Sequence, residues 1–158
     1  MFEKYSDRAR MVVFTARYRS GKHGAPAIDV DHLVDAIVFE DQGKLADALD
    51  EPGRVLSPNF EPKAHFFSSE IASELLVKIY QLFQIREPIP TSVDMPLSDG
   101  VNRTFAAAMT MIAELSQNQV TPLHLLAASF SEQSKAEKLM MAAGITGDDV
   151  IRALKGDS

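Results

Sequence analysis

The sequence predicts an all-α protein of about eight helices, built as two pseudo-two-fold-related copies of one helical unit. Three observations carry that expectation. The first is an internal echo at a constant offset of 92 residues. Ser6-Asp7 falls on Ser98-Asp99, Ala16 on Ala108, Ile28 on Val120, His32-Leu33 on His124-Leu125, Ala36 on Ala128 and Glu40 on Glu132, with no gap between Ser6 and Glu40. The second is the recurrence of apolar residues at helical spacing, which marks helices with one buried stripe. The third is the lack of an alternating strand pattern of comparable quality; only residues 64–68 read as locally extended. The expected layout is a single module: a first copy over 1–49, a proline-rich insert with a helix over 50–95, and a second copy over 96–158.

Ser6 is a cap candidate, because its hydroxyl can accept from a backbone N–H of the first turn. Phe2 and Tyr5 ahead of it can pack back on that turn. Ala9, Val12, Val13 and Ala16 follow at helical spacing, and Gly21 and Gly24 end the helix. After a loop over 23–27, Asp29 or Asp31 caps a second helix and complements its positive end. Leu33, Val34, Ile37 and Val38 are its buried stripe, and Gly43 separates it from a short third helix over 44–49. Pro52, Gly53, Pro58 and Pro62 forbid a long helix through 50–67. Ser69 opens a fourth helix with an apolar face of Ile71, Leu75, Leu76, Ile79, Leu82 and Phe83, and Pro88, Pro90 and Pro96 mark a second connector. In the second copy Ser98 caps a helix that continues through 105–115. Thr121-Pro122 reads as a cap followed by proline at the first helical position, where a missing N–H costs little. Leu125, Leu126 and Phe130 bury that helix. Ser134 opens another, ended by Gly144 after Leu139, Met140 and Met141, and residues 147–154 form the last.

A chain of 158 residues can bury roughly two-thirds of its unfolded surface, enough for a real core. It has no cysteine, hence no disulfide framework, thiolate zinc site or cysteine nucleophile. No apolar run approaches the ~18 residues needed to span a bilayer, and the charged opening MFEKYSDRAR is unlike a signal peptide. A cytoplasmic protein without membrane contact is expected. The net charge of −6 argues against nucleic acid as the main partner. The charge is uneven, however. Lys4, Arg8, Arg10, Arg17, Arg19 and Lys22 face only Glu3 and Asp7 in the first helical segment, so the remainder is strongly acidic. The plain reading is a solvated helix face. The sharper one makes Arg8, Arg10, Arg17 and Arg19 a docking surface for an acidic partner.

His32 and His124 invite a metal reading, and Asp29, Asp31 and His32 together could serve a metal-dependent hydrolase. Each histidine is alone on its helix, with no second histidine at ligand spacing and no thiolate. Their symmetric placement points instead to a hydrogen bond that locks the helix start. Ser68-Ser69 and Ser116 have no partner histidine in a nucleophile motif. No catalytic residue, metal or cofactor is expected. Met109, Met111, Met140 and Met141 are either core or an adaptable peptide surface.

Both copies resemble the Clp N-terminal repeat, the module that precedes the ATPase rings of Clp/Hsp100 unfoldases. MFEKYSDRARMVVFTA resembles the start of ClpC. The family's Gly-Thr-Glu-His signature before its second helix is matched by Asp29-Val30-Asp31-His32-Leu33 and by Thr121-Pro122-Leu123-His124-Leu125-Leu126. Gly144-Ile145 resembles the Leu-Gly-Val step before the last helix. The likeness covers Met1 to about Leu49 and Ser98 to about Leu154; the insert is longer and richer in proline than the family norm. There is no phosphate loop of the Gly-x-x-x-x-Gly-Lys-Ser/Thr type. The resemblance implies a non-enzymatic module that binds protein substrates or adaptors, either as part of a Clp ATPase or as a free-standing regulator of Clp proteolysis. It also implies a phosphoarginine receptor, in which the motif acid holds the guanidinium and the helix start at the Ser/Thr-x-Arg-Ala motif receives the phosphate. On this chain the first copy retains Ser6 and Asp31. The second retains Ser98 but has Leu123, which cannot accept a hydrogen bond. At most one such pocket is expected, and Asp31 is one methylene shorter than the family's glutamate.

Overall fold

Apart from the four-residue helix Leu45–Ala48, which has no side-chain cap, the helices begin where a polar side chain satisfies backbone N–H groups that have no partner within the helix. The structure is a computed structural model and describes residues 2–53 and 64–156. Pro58 and Pro62 of the expected irregular stretch lie outside the described residues. Helix α1 (Asp7–Lys22) is capped by the Ser6 hydroxyl, which accepts from Ala9 N at 3.1 Å. Helix α5 (Asp99–Glu114) is capped in the same way by Ser98, accepting from Val101 N at 3.2 Å. Helices α2 (Val30–Asp41) and α6 (Pro122–Ser129) share a second device. In each, the histidine at the third position turns back. His32 Nδ1 accepts from Asp29 N at 3.0 Å, and His124 Nδ1 from Thr121 N at 2.9 Å. The remaining helices are α3 (Leu45–Ala48), α4 (Ser69–Tyr80), α7 (Lys135–Ala142) and α8 (Gly147–Leu154). No sheet forms among the described residues, and residues 64–68 make no strand.

Two expectations change in detail. Asp29 caps α2, whereas Asp31 sits in its first turn and serves another helix. Helix α4 ends at Tyr80, so Leu82 and Phe83 lie beyond it rather than on its apolar face.

The duplication appears as a two-fold exchange of partners. Tyr5 pairs with Val120 and Leu97 with Ile28, in two isolated parallel bridges. Ser6 N donates to Val120 O at 2.9 Å and Val120 N to Lys4 O at 2.8 Å; Ser98 N donates to Ile28 O and Ile28 N to Pro96 O, both at 2.9 Å. Each bond of one set becomes a bond of the other when both residues shift by the repeat offset. The entry to the first helix of each copy is therefore tied to the entry to the second helix of the other copy. Helices α2 and α6 pack against each other in the centre. Helix α1 lies on α2 and α5 on α6, while α4 and α8 cover the same central pair. Leu33, Val34, Ile37, Leu125, Leu126, Val12, Val101 and Met140 are buried there, each contributing about 1.5–3 kcal/mol relative to an exposed position.

The central helix α2 buries Asp35, Glu40 and Asp41 as well as its apolar stripe. Buried carboxylates need partners, and α1 supplies two. Arg19 binds Asp35 through Nε, and Arg8 Nη1 reaches Glu40 Oε2 at 3.2 Å. This corrects the reading of the four arginines as one docking face. Arg19 is 6% exposed and committed to the interior. Arg10 holds Phe2 O and Glu3 O, and Arg17 holds Pro90 O and Val93 O. Arg19 is thus internal, while Arg8, Arg10 and Arg17 hold acids and carbonyls of the same chain nearer the surface.

The chain after α4 lies across the end of α1. Ile89 N donates to Gly21 O at 2.8 Å and Arg86 N to His23 O at 2.9 Å. Gly24 permits this approach: its φ is +71°, and a Cβ there would stand 2.4 Å from Glu87 O. Gly24→Ala is expected to lower stability by about 2 kcal/mol or more, since it adds backbone strain to a clash with a carbonyl. A fall in Tm measured by circular dichroism checks it; an unchanged Tm would show that residues 86–89 move aside freely.

Candidate functional site

A cleft of about 540 Å³ opens where the start of α2 meets the starts of α5 and α7. Asp29, Asp31 and His32 come from α2, Ser98, Gly100 and Arg103 from α5, and Glu132 to Lys135 from the turn before α7. Ser98 Oγ donates to Asp29 Oδ1 at 3.2 Å while accepting from Val101 N. Asp29 Oδ1 also accepts from Val30 N at 2.8 Å. Asp31 Oδ1 accepts from Ala136 N at 2.9 Å and so caps α7 across 105 residues of chain. Burial raises the Asp31 carboxyl above the usual range, against the Ala136 hydrogen bond; nearby Asp29 adds to the rise and Lys135 opposes it. A half-buried carboxylate held by one amide retains acceptor capacity toward the cleft.

Arg103 grips Glu132 at the rim, with Nη2 at 2.8 Å and Nε at 3.0 Å from Oε1. Gly100 makes room for that carboxylate: a Cβ there would lie 3.2 Å from Glu132 Oε1 and 3.0 Å from Val30 Cγ2. The repeat offset maps Gly100 onto Arg8 and Glu132 onto Glu40. At the other junction the arginine therefore fills the position that glycine clears here.

The fold regroups the candidate residues. Reading along the chain joined Ser6 with Asp31, because both belong to the first copy. The structure brings Asp31 together with Ser98 from the second copy, and ties Ser6 to the opposite junction through Val120. That junction carries Leu123 in place of an acid. Nearby, Phe2, Tyr5 and Phe105 form an aromatic cluster with ring centroids 4.9–6.0 Å apart. A shallower hollow of about 360 Å³ beside Leu123 is lined by Thr121, Gln117, His124 and Leu154. Gln117 there is already bonded to His124 and to Leu154 O.

The inner wall of the cleft is aromatic. Phe83 stacks on His32 at 4.7 Å and 15°, and on His23 at 5.1 Å and 31°. His23 is 3% exposed and neither ring nitrogen has a hydrogen-bond partner. Burial pushes His32 down to about 4, and lowers His23 as well, with Arg19 and Lys22 adding to the shift.

The metal reading of Asp29, Asp31 and His32 finds no support in this arrangement. Each already holds a helix start through one atom, and no group of three or more acidic or histidine side chains among the described residues is placed to hold an ion. The four methionines do not form one surface: Met140 is core, Met111 is half-buried, and Met109 and Met141 are exposed on different helices. No described helix is long and apolar enough to cross a membrane. Reading the sequence missed Gly100, Arg103, Glu132, His23 and Phe83. The available signal was the two-fold itself, which sets the start of one copy's helix opposite the start of the other's.

No sequence-family model matches the chain, and no curated protein matches it by sequence. Its structure is similar to the N-terminal domain of the protease-associated chaperone ClpD from Arabidopsis thaliana, with TM-score 0.68 and 16% identity over 98% of this chain and 100% of that one. It is also similar to the N-terminal domain of Hsp104 from Candida albicans, with TM-score 0.62 and 18% identity over 99% and 94%. A third solved structure, from preliminary investigations of a malarial protein secretion system, gives TM-score 0.71 and 16% identity over 97% and 93%. The chain has the all-α fold of these Clp-type N-terminal domains.

Proposed function

We propose that this chain is a non-enzymatic binding module that takes one side chain of a polypeptide into the cleft between its repeats. The observation that supports this reading is that Asp31 and Ser98, from opposite copies, line one cleft of about 540 Å³. A carboxylate on one side suits a guanidinium fork, and the start of α5 on the other suits an anion. A polypeptide carrying phosphoarginine presents both. The lone site follows from Leu123, which removes the acid from the second junction. The module serves an unfoldase–protease of the Clp type in the cytoplasm, as its substrate- or adaptor-binding N-domain or as a free-standing regulator. The ClpD and Hsp104 N-terminal domains support that role through their shared fold.

Calorimetric titration with a phosphoarginine peptide and its unphosphorylated twin tests the reading. The expected result is one site per chain and preference for the phosphorylated peptide. Asp31→Asn keeps an acceptor for Ala136 but removes the charge, and should weaken binding at least about tenfold, as expected for a charged hydrogen bond. Leu123→Ala should leave it unchanged. Equal binding by wild type and Asp31→Asn, or no binding of either peptide at millimolar concentration, would sink the assignment.

A further inference from the structure

Residues 81–95 form no helix or strand; Leu82, Phe83, Gln84 and Arg86 line the cleft, and the chain then runs along the end of α1. Few contacts hold them. Arg86 N and Ile89 N donate to the end of α1, and Arg17 Nη2 donates to Pro90 O at 2.7 Å and Val93 O at 2.5 Å. Residues 84–88 and 90–94 are exposed. A segment with exposed backbone and few buried contacts can open without unfolding the core. It is held by two half-buried side chains: Met95 at its far end, where Ser20 Oγ donates to the sulfur, and Phe83 at its start, whose ring rests against both His23 and His32.

We propose that this segment is an acid-released strap: protonation of His23 and His32 displaces Phe83 and frees residues 83–93 while the helical core stays folded. The geometry supplies the reason. His23 has no acceptor for either ring N–H, so a charge there is buried without compensation. Arg19 and Lys22 of α1 oppose a charge on His23, and only Asp50, after α3, favours it. At His32, Asp29 favours the charge, whereas His23 and Arg19 oppose it. Tyr80 of α4 contributes a ring edge to His23. Arg86 of the strap adds another cation to the cleft; Arg103 and Glu132 across it are paired with each other, and Lys135 stands beside Asp31. A phenyl face attracts one imidazolium, but two imidazoliums sharing one phenyl repel each other.

The sign follows from linkage. Both histidines bind protons less readily in the closed state than when exposed, so the neutral forms favour closure. The closed state is stable above about pH 6.5 and weakens as pH falls, by about tenfold per pH unit for each histidine that titrates. His32 Nδ1 also accepts the Asp29 N–H that starts α2, so part of its resistance to protonation belongs to that cap and persists when the strap opens. Opening removes Phe83, Gln84 and Arg86 from the cleft wall. Any effect on ligand rests on the binding role proposed above, but opening is measured without ligand, so the two proposals fail separately.

Hydrogen exchange of the full chain between pH 7 and 4, corrected for intrinsic rates, reads the strap directly. The amides of Arg86 and Ile89, which donate to the end of α1, should lose protection by tenfold or more per pH unit below 6.5, while those of α6 keep theirs. His23→Phe fills the same space without titrating and should make the dependence shallower. Ring titration of the wild type by NMR provides a second measure, with both imidazoles expected below the ordinary value. The proposal is overturned if strap and α6 amides lose protection together, if His23→Phe keeps the wild-type slope, or if either ring titrates at 6.5 or above.

Discussion

Replacing Arg19 with methionine is expected to destabilise the fold by about 3–5 kcal/mol, the usual cost of removing one partner from a buried ion pair. Arg19 Nε binds Asp35 Oδ2, Nη1 donates to Ala48 O at 3.3 Å, and the guanidinium lies 4.7 Å over the Phe39 ring. Asp35 is fully buried, and its second oxygen has no other partner. Methionine fills the space but leaves that carboxylate without a counter-charge. Burial already raises the Asp35 carboxyl, and Arg19 is what opposes the rise. In the variant the folded-state value climbs further above the unfolded one. A raised acid contributes stability below its unfolded value and loses it as pH rises through the folded one. The deficit should therefore be largest at neutral pH and shrink on acidification. Urea unfolding at pH 7 and pH 5 checks both magnitude and sign. Arg19→Met with Asp35→Leu should recover most of the loss, because it removes the stranded charge. An unchanged urea midpoint in the single variant would mean the pair is dispensable.

Asp41→Ala is expected to cost about 2–4 kcal/mol, because it strands one buried and one part-buried backbone N–H group at about 1–3 kcal/mol each. Asp41 closes α2, and its two oxygens accept from Phe66 N at 2.7 Å and Phe67 N at 3.0 Å. Gln42 braces the same contact by donating to Asp41 Oδ2 and to Phe67 O. Phe67 is thereby seated in the core just before α4 begins. Asp41→Asn keeps one acceptor and should fall between wild type and alanine. Exchange at residues 66–72 should rise more than exchange in α5 and α6; a uniform rise would show that Asp41 supports the whole core and not this junction.

These two residues show where sequence reading stops. The position of Arg19 on an amphipathic helix is legible, and it was read as solvent-facing along with Arg8, Arg10 and Arg17. Its burial depends on the acid that α2 presents to it, which lies 16 residues away on another helix. Asp41 and Asp35 sit in a stretch whose apolar stripe was read correctly, yet nothing local says that both acids face inward. Asp31 stands out in the sequence as the motif acid and as a possible cap of its own helix; the helix whose start it holds is α7. Ser98 was singled out as the start of the second copy, and its partnership with the first copy became visible only in three dimensions.

What the amino-acid sequence determined alone is the set of helices, their capped starts and their duplication. Those depend on spacings of three and four residues and on side chains that reach their own backbone, so the information is local. The tertiary structure decided which acid meets which cation, which copy's serine lines the cleft with Asp31, and that the chain after α4 contributes to its wall. Such pairings depend on how the two-fold exchanges segments far apart along the chain, and desolvation then makes each matched charge hold and each unmatched one costly.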